Sequence, residues 1–293
     1  MAAVTATGQI IANAAELSAA ALKAVSVTTT GSSVELKLAR IETATDIYIN
    51  PQALAECKEL AIKNSGTQAR FFLDLAKSAA HPLRLKFDNA QQGSAQIFLS
   101  AQQCHIELDC AMQIEKESQL DCFLNIHNST ANITIDANIF QHANARFFGL
   151  TRATADDAVS IGMHVHHIEG KNHTEQKFYS FAAEKSAVTF TGKISVAPGA
   201  GESVAHQLHR GTVLSREARI SAQPFLNIMH DDVRCTHGST VGFIDEDAKR
   251  YLMARGMAEN DAEQVLIESS QRQFIDALPA PGAQYFGFEG GLE

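Results

Sequence analysis

The 293-residue sequence has no cluster of lysine and arginine: its 24 basic side chains are scattered among 33 acidic ones, for a net charge of −9. Binding a phosphate backbone takes concentrated positive charge, so the composition speaks against nucleic acid as a partner. No apolar run approaches the roughly 18 residues of a membrane helix, and the opening MAAVTATGQIIANAAELSAAALKAV lacks the basic start and apolar core of a secretory leader. A cytoplasmic protein, with no membrane partner, is the expectation. The five cysteines, Cys57, Cys104, Cys110, Cys122 and Cys235, are few, odd in number and far apart, which argues against a disulfide framework and for reduced thiols. Walker A, GxGxxG, GxSxG and HExxH patterns are all missing, so ATP hydrolysis on this chain is not expected.

Hydrophobic residues make up 45% of the chain, enough for a sizeable core in one large domain or two ordinary ones. Residues 1–80 read as a short mixed α/β region. VSVTTTGSSVELKLARIETATDIYI has the alternation of strands, and PQALAECKELAIKN and ARFFLDLAKSAA suit helices. Across 81–243 the texture becomes short alternating runs such as LRLKF, AQIFLS, CHIELDC, NITIDANIF and VSIGMHVHH, broken by polar residues. This is an all-β pattern, either a sandwich of hairpins or a solenoid of stacked coils. Tight hairpins favour Asn-Gly or Asp-Gly, neither of which occurs there, and this tilts the reading toward the solenoid. Residues 244–293 carry helical spacing over two helices. Asp245 is placed to start the first, Gly256 to end it, and Pro279 and Pro281 to stop the second before a loose tail.

Three constellations could carry chemistry. Cys104 and Cys110 in CHIELDC are an even number apart and read as small buried residues of a β core. His164 and His166 in HVHH would project from one strand face and could offer two imidazoles to a metal, but no third ligand stands out, and histidines hydrogen-bonded within the solenoid are the favoured reading. A metal-dependent β-helix enzyme is the rival function that this stretch would serve. Cys235 and His237 in DDVRCTHG pair a soft sulfur with a borderline nitrogen, a combination suited to iron, or else they form a structural corner. His173, His206, His209 and His230 are scattered and read as surface or core polarity.

Four stretches in order, VHHIEG (165–170), FTGKISVAPGA (190–200), DDVRCTHGSTVGFIDED (231–247) and YLMARGM (251–257), resemble the SufB/SufD family of iron–sulfur cluster assembly proteins. SufB-type chains carry a sulfur-accepting cysteine where this sequence has AHQLHRGTVLS (205–215), so the resemblance is to SufD. It departs from the family at Gln223 and Asn227, where a lysine and a glutamate are usual, and its N-terminal region is shorter. The resemblance implies a right-handed parallel β-helix with a C-terminal helical segment. It also implies a non-catalytic scaffold that pairs with a SufB-like protein and a SufC-type ATPase, or with a second copy of itself. A transient iron–sulfur cluster on the assembled complex follows from it, and reduced flavin there is allowed by it. Carried over by position, His237 and then Cys235 become the metal ligands, and the helices bearing Tyr251, Arg255 and Met257 become the ATPase-docking surface.

Overall fold

A computed structural model describes residues 24–39, 44–50, 54, 57–66, 68–75 and 82–288. Its body is a parallel β-solenoid of about seven turns, followed by three helices. Each turn lays one strand in each of two sheets. One sheet begins with a short antiparallel hairpin, β1 (Val25–Thr30) and β2 (Ser33–Leu38). It continues through β4 (Glu59–Asn64), β6 (Leu83–Asn89), β8 (His105–Ile114), β10 (Thr130–Ile139), β12 (Ala158–His167), β14 (Ala187–Val196) and β16 (Arg219–Ile228). The other, the odd sheet, stacks β3 (Thr45–Ile49), β5 (Ala69–Asp74), β7 (Ser94–Gln102), β9 (Gln119–His127), β11 (Asn144–Ala153), β13 (His173–Ala182), β15 (Ser203–Val213) and β17 (Val233–Phe243). The helices are α1 (Glu246–Ala254), α2 (Glu259–Ile275) and α3 (Ala280–Tyr285).

Alternation explains the coil. In β8 every second residue, Ile106, Leu108, Cys110, Met112 and Ile114, is buried in the lumen, while Glu107, Asp109 and Ala111 face out. Cys110 is thus the buried thiol expected of CHIELDC, whereas Cys104 lies just before the strand and is half-buried against Ser129. Coils advance by 25 residues across the Arg146–Asp121 pair and by 30 across His206–Thr236. Corners are turned by left-handed residues, among them Gln92, Glu117, His142, Lys171 and Glu202. Each of these points its backbone N–H at the next coil, onto the carbonyls of Lys116, Gln141, Gly170, Gly201 and Asp232 in turn. That ladder of bonds offsets the roughly 1–2 kcal/mol that a left-handed L-residue costs, and it replaces the Asn-Gly turns that a hairpin sandwich would use.

Two segments read from sequence as helices are strands. ELAIKN (Glu59–Asn64) and ARFFLD (Ala69–Asp74) are β4 and β5 and stack on the same two sheets as the later coils; residues 51–53, 55–56 and 76–80 of those readings lie outside the described residues. In β5, Phe71 and Leu73 fill the lumen while Phe72, between them, is buried on the outer face. Burial on both faces turns an alternating strand into an unbroken apolar run, which mimics a helix.

The outer burial comes from the C-terminal helices. Tyr48, Phe72, Phe98, Phe123 and Phe148 stack along the odd sheet at centroid spacings of 4.3, 4.8, 5.2 and 5.4 Å. Phe274 of α2, with Tyr285 and Phe286, packs into that cluster. The sequence signals for α1 hold: Asp245 accepts from the N–H groups of Asp247 and Ala248, and Gly256 takes the left-handed conformation after the helix. The tail differs from the loose segment expected. Pro279 and Pro281 stand at the start of α3, where a missing N–H costs nothing, and residues to 288 are packed; 289–293 lie outside the described residues.

Candidate functional site

The open end of the solenoid is where the flagged Cys235 and His237 sit. β17 is the last strand of its sheet and, among the described residues, pairs only with β15, so its far edge is left without a strand partner there. The corner before it, Asp231–Asp232, belongs to the backbone ladder through the Asp232 carbonyl, which accepts from the N–H of Glu202. Cys235 packs against the lumen-side cluster of Ile194, Val196, Ala200 and Ala205, and burial raises its thiol above the usual range. His237 is two residues on, hence on the same face, and is exposed because the coil that would cover it is absent. The outward neighbour, Thr236, bonds Nδ1 of His206 at 2.7 Å.

Below this end the lumen changes character. Read across the odd sheet in register, one inward lane runs Phe71, Ile97, Cys122, Phe147, Gln176, Gln207, His237. Its first four members are apolar and its last three polar. Gln207 donates to Oε1 of Gln176 at 2.9 Å, while Gln207 Oε1 and Gln176 Nε2 are buried without partners. In the adjacent lane His209 bonds Ser180 Oγ at 3.0 Å and stacks on Phe190 at 4.9 Å. Burial pushes its imidazole down to about 4, so it is neutral at pH 7. Gln176, Gln207 and His209 were not singled out for a site from the sequence. The only signal is that AHQLHR is polar on both faces of its strand, which hides which face is inside.

The HVHH histidines lie elsewhere, on the outer face of the other sheet. His164 Nδ1 is 2.9 Å from Asp136 Oδ1, and His166 Nε2 is 3.6 Å from the same oxygen. Among the described residues no group of three or more His, Cys, Asp or Glu is arranged to hold a metal ion. The third histidine, His167, is buried between Asn172 and Thr174 Oγ1, and at the corner that follows a Cβ on Gly170 would stand 2.2 Å from the Gly201 carbonyl oxygen.

Tyr251 and Arg255 lie at the outer surface of the helical segment, the Arg255 guanidinium 4.4 Å over the Tyr251 ring, with Met257 just beyond the helix end. These three residues belong to α1 and the turn after it, whereas His237 belongs to β17. Exposed apolar side chains crowd the terminal coil instead, with Phe225, Ile228, Met229, Val241 and Phe243 each between 42% and 69% exposed. No helix among the described residues is long and apolar enough to cross a membrane.

A family model described as the SufBD core domain of SUF-system iron–sulfur cluster assembly matches residues 88–270. A SufBD-family iron–sulfur cluster assembly protein of Synechocystis is 35% identical over 111 residues, 38% of this chain and 24% of that protein. SufD of Escherichia coli is 27% identical over 142 residues, 48% and 34% of the two chains, and SufD of Bacillus subtilis 33% over 101 residues, 34% and 23%. In each case the match covers about a third or less of the relative's own length.

Proposed function

The chain belongs to the SufBD core family of iron–sulfur cluster assembly proteins, most like SufD, and from that premise we propose that it is a non-catalytic scaffold subunit. In this reading it pairs through its open solenoid end with a SufB-like chain, while a SufC-type ATPase docks on the helical segment and supplies the nucleotide chemistry. The nascent cluster is the cargo built at the joint. The observation that carries the reading is the family match, which spans the solenoid from β6 to the body of α2.

Geometry supports the division of labour. Two sheets whose last strands each keep one unpaired edge among the described residues, flanked by exposed phenylalanine, methionine and valine, form a surface that association would cover. At that surface His237 presents a nitrogen with Cys235 beside it, and a partner supplying further ligands would complete an iron site that this chain alone leaves open. A second copy could use the same edges, giving a homodimeric scaffold. Reduced flavin, if it takes part, would bind the assembled complex.

Anaerobic co-purification with SufB-like and SufC-type partners tests the reading, with iron content and cluster absorbance measured on the same sample. The expected result is a stable complex in which His237→Ala keeps partner binding but loses most cluster. Replacing both Arg255 and Met257 should release the ATPase subunit alone. A chain that ignores both partners would sink the proposal, and full cluster content in His237→Ala would make DDVRCTHG a structural corner.

A further inference from the structure

On the outer face of the odd sheet, Arg152 differs from the other half-buried basic side chains. Arg70 is paired with Asp46, Arg146 holds Asp121 through two bonds of 2.7 and 2.6 Å, and Lys177 meets Glu175. Arg152, six residues beyond Arg146 on β11, has no carboxylate within ion-pair distance among the described residues. It is half-buried all the same, its Nε sealed from solvent without a partner, and burial alone lowers its pKa. On one side the ring of Phe288 lies 5.4 Å from its guanidinium carbon. In register on β9 stands His127, itself half-buried, and held below the usual imidazole range first by burial and then by the Arg152 charge. The carboxylate that acts on His127, Asp157, is engaged by the N–H of Thr154 at 3.0 Å.

A partly desolvated cation with no counter-charge is unfavourable, and a paired anion offsets that cost. We propose that Arg152 and His127 form a binding site for a small oxyanion, a phosphate or carboxylate group, on the outer face of the odd sheet beside Phe288. The guanidinium offers a fork of donors suited to two oxygens, His127 offers a further ring N–H on the adjacent strand, and Phe288 backs the guanidinium. Both side chains stand on rigid, fully paired strands, so the donors are positioned before the anion arrives. The site lies on a sheet face, away from the terminal coil that bears His237.

Thermal unfolding of the full chain, titrated with sodium phosphate, sodium acetate or sodium chloride at matched ionic strength, tests this. A saturable rise with phosphate or acetate but not with chloride is expected, and which of the two gives it identifies the oxyanion. In Arg152→Met the rise should need roughly tenfold or more anion, the loss expected for one charged donor, while the anion-free variant unfolds no lower than the parent because an uncompensated charge has gone. His127→Leu should weaken the response in the same direction, and it keeps the test open if Arg152→Met fails to fold. Equal responses to chloride and the oxyanions, or saturation unchanged in both variants, would overturn the proposal.

Discussion

Gly192→Ala should be among the most damaging small substitutions in the solenoid. Gly192 sits on the inward side of β14 in FTGKISV, and a Cβ there would lie 2.0 Å from Gln207 Nε2, 2.6 Å from its Cδ and 2.8 Å from Phe190 Cε1. The glutamine amide must move, and its bond to Gln176 Oε1 goes with it, leaving buried polar groups in the lumen unpaired. Overpacking costs about 1–3 kcal/mol, and an unsatisfied buried amide about 1–3 kcal/mol; partial relaxation of Gln207 puts the sum near 2–4 kcal/mol. Gly162→Ala, in the neighbouring strand but facing outward with nothing nearer than 3.7 Å, should stay within about 0.5 kcal/mol of the parent. Urea unfolding of the two single variants, Gln207→Ala and the Gly192→Ala/Gln207→Ala pair measures the effect. The pair should fall short of the summed losses by at least about 1 kcal/mol, because removing the glutamine removes one clash. A Gly192→Ala chain as stable as Gly162→Ala would refute the packing described for the polar lumen.

Further outcomes follow from other contacts. Gly282→Ala would bring a Cβ to 2.2 Å from Phe98 Cε1 and should lift α3 from the aromatic ladder; proteolysis near residues 276–288 should accelerate, and unchanged cleavage would contradict the packed tail. His209 and His167 are both held below the ordinary imidazole range by burial, His209 at about 4. Between pH 6.5 and 4 the unfolded chain therefore binds protons that the folded chain does not. Stability should fall with pH across that window, His209 contributing on the order of 3 kcal/mol. His209→Gln should flatten the fall in urea midpoint between pH 7 and 4.5, and an unaltered slope would exclude His209 as its source. His237→Ala, at an exposed edge, should change the unfolding free energy by less than about 0.5 kcal/mol, which separates its expected loss of cluster from any loss of fold.

Much of the solenoid was legible because alternation survives wherever only one strand face is buried. LRLKF, CHIELDC, NITIDANIF and VSIGMHVHH all became strands with their apolar positions inward. The reading failed where a second layer covered the outer face, as at ARFFLD, since Phe72 answers to helices some 200 residues later in the chain and no local pattern can report that contact. The tail was misjudged for the same reason: GAQYFGF looks loose by composition, yet Tyr285 and Phe286 pack against rings supplied by β5 and β7. Corners escaped notice because Gln, Glu, His and Lys hold left-handed positions that sequence rules assign to glycine or asparagine, and only the stacked carbonyl of the next coil makes them tolerable.

The candidate site shows a different limit. Cys235 and His237 could be flagged from their spacing, but that spacing is shared by His164 and His166, which the fold turns outward onto a single carboxylate. What distinguishes the first pair is register: a lumen lane that is aromatic and aliphatic at Phe71, Ile97 and Phe147 becomes amide at Gln176 and Gln207 before it reaches His237. A solenoid needs apolar side chains wherever coils stack on coils, so polar residues accumulating inward toward one end lower the stability of those coils. Gln207 and Gln176 leave amide atoms unpaired, and His209 is held neutral in the same end of the lumen. Gln176, Gln207 and His237 lie 31 and 30 residues apart in sequence, and the register of the last coils brings them into one column, with His209 in the lane beside it. A fold that required stability alone would have continued the apolar lane to its end, and a polar column beneath His237 is what the proposed scaffold reading leads one to expect at a working end.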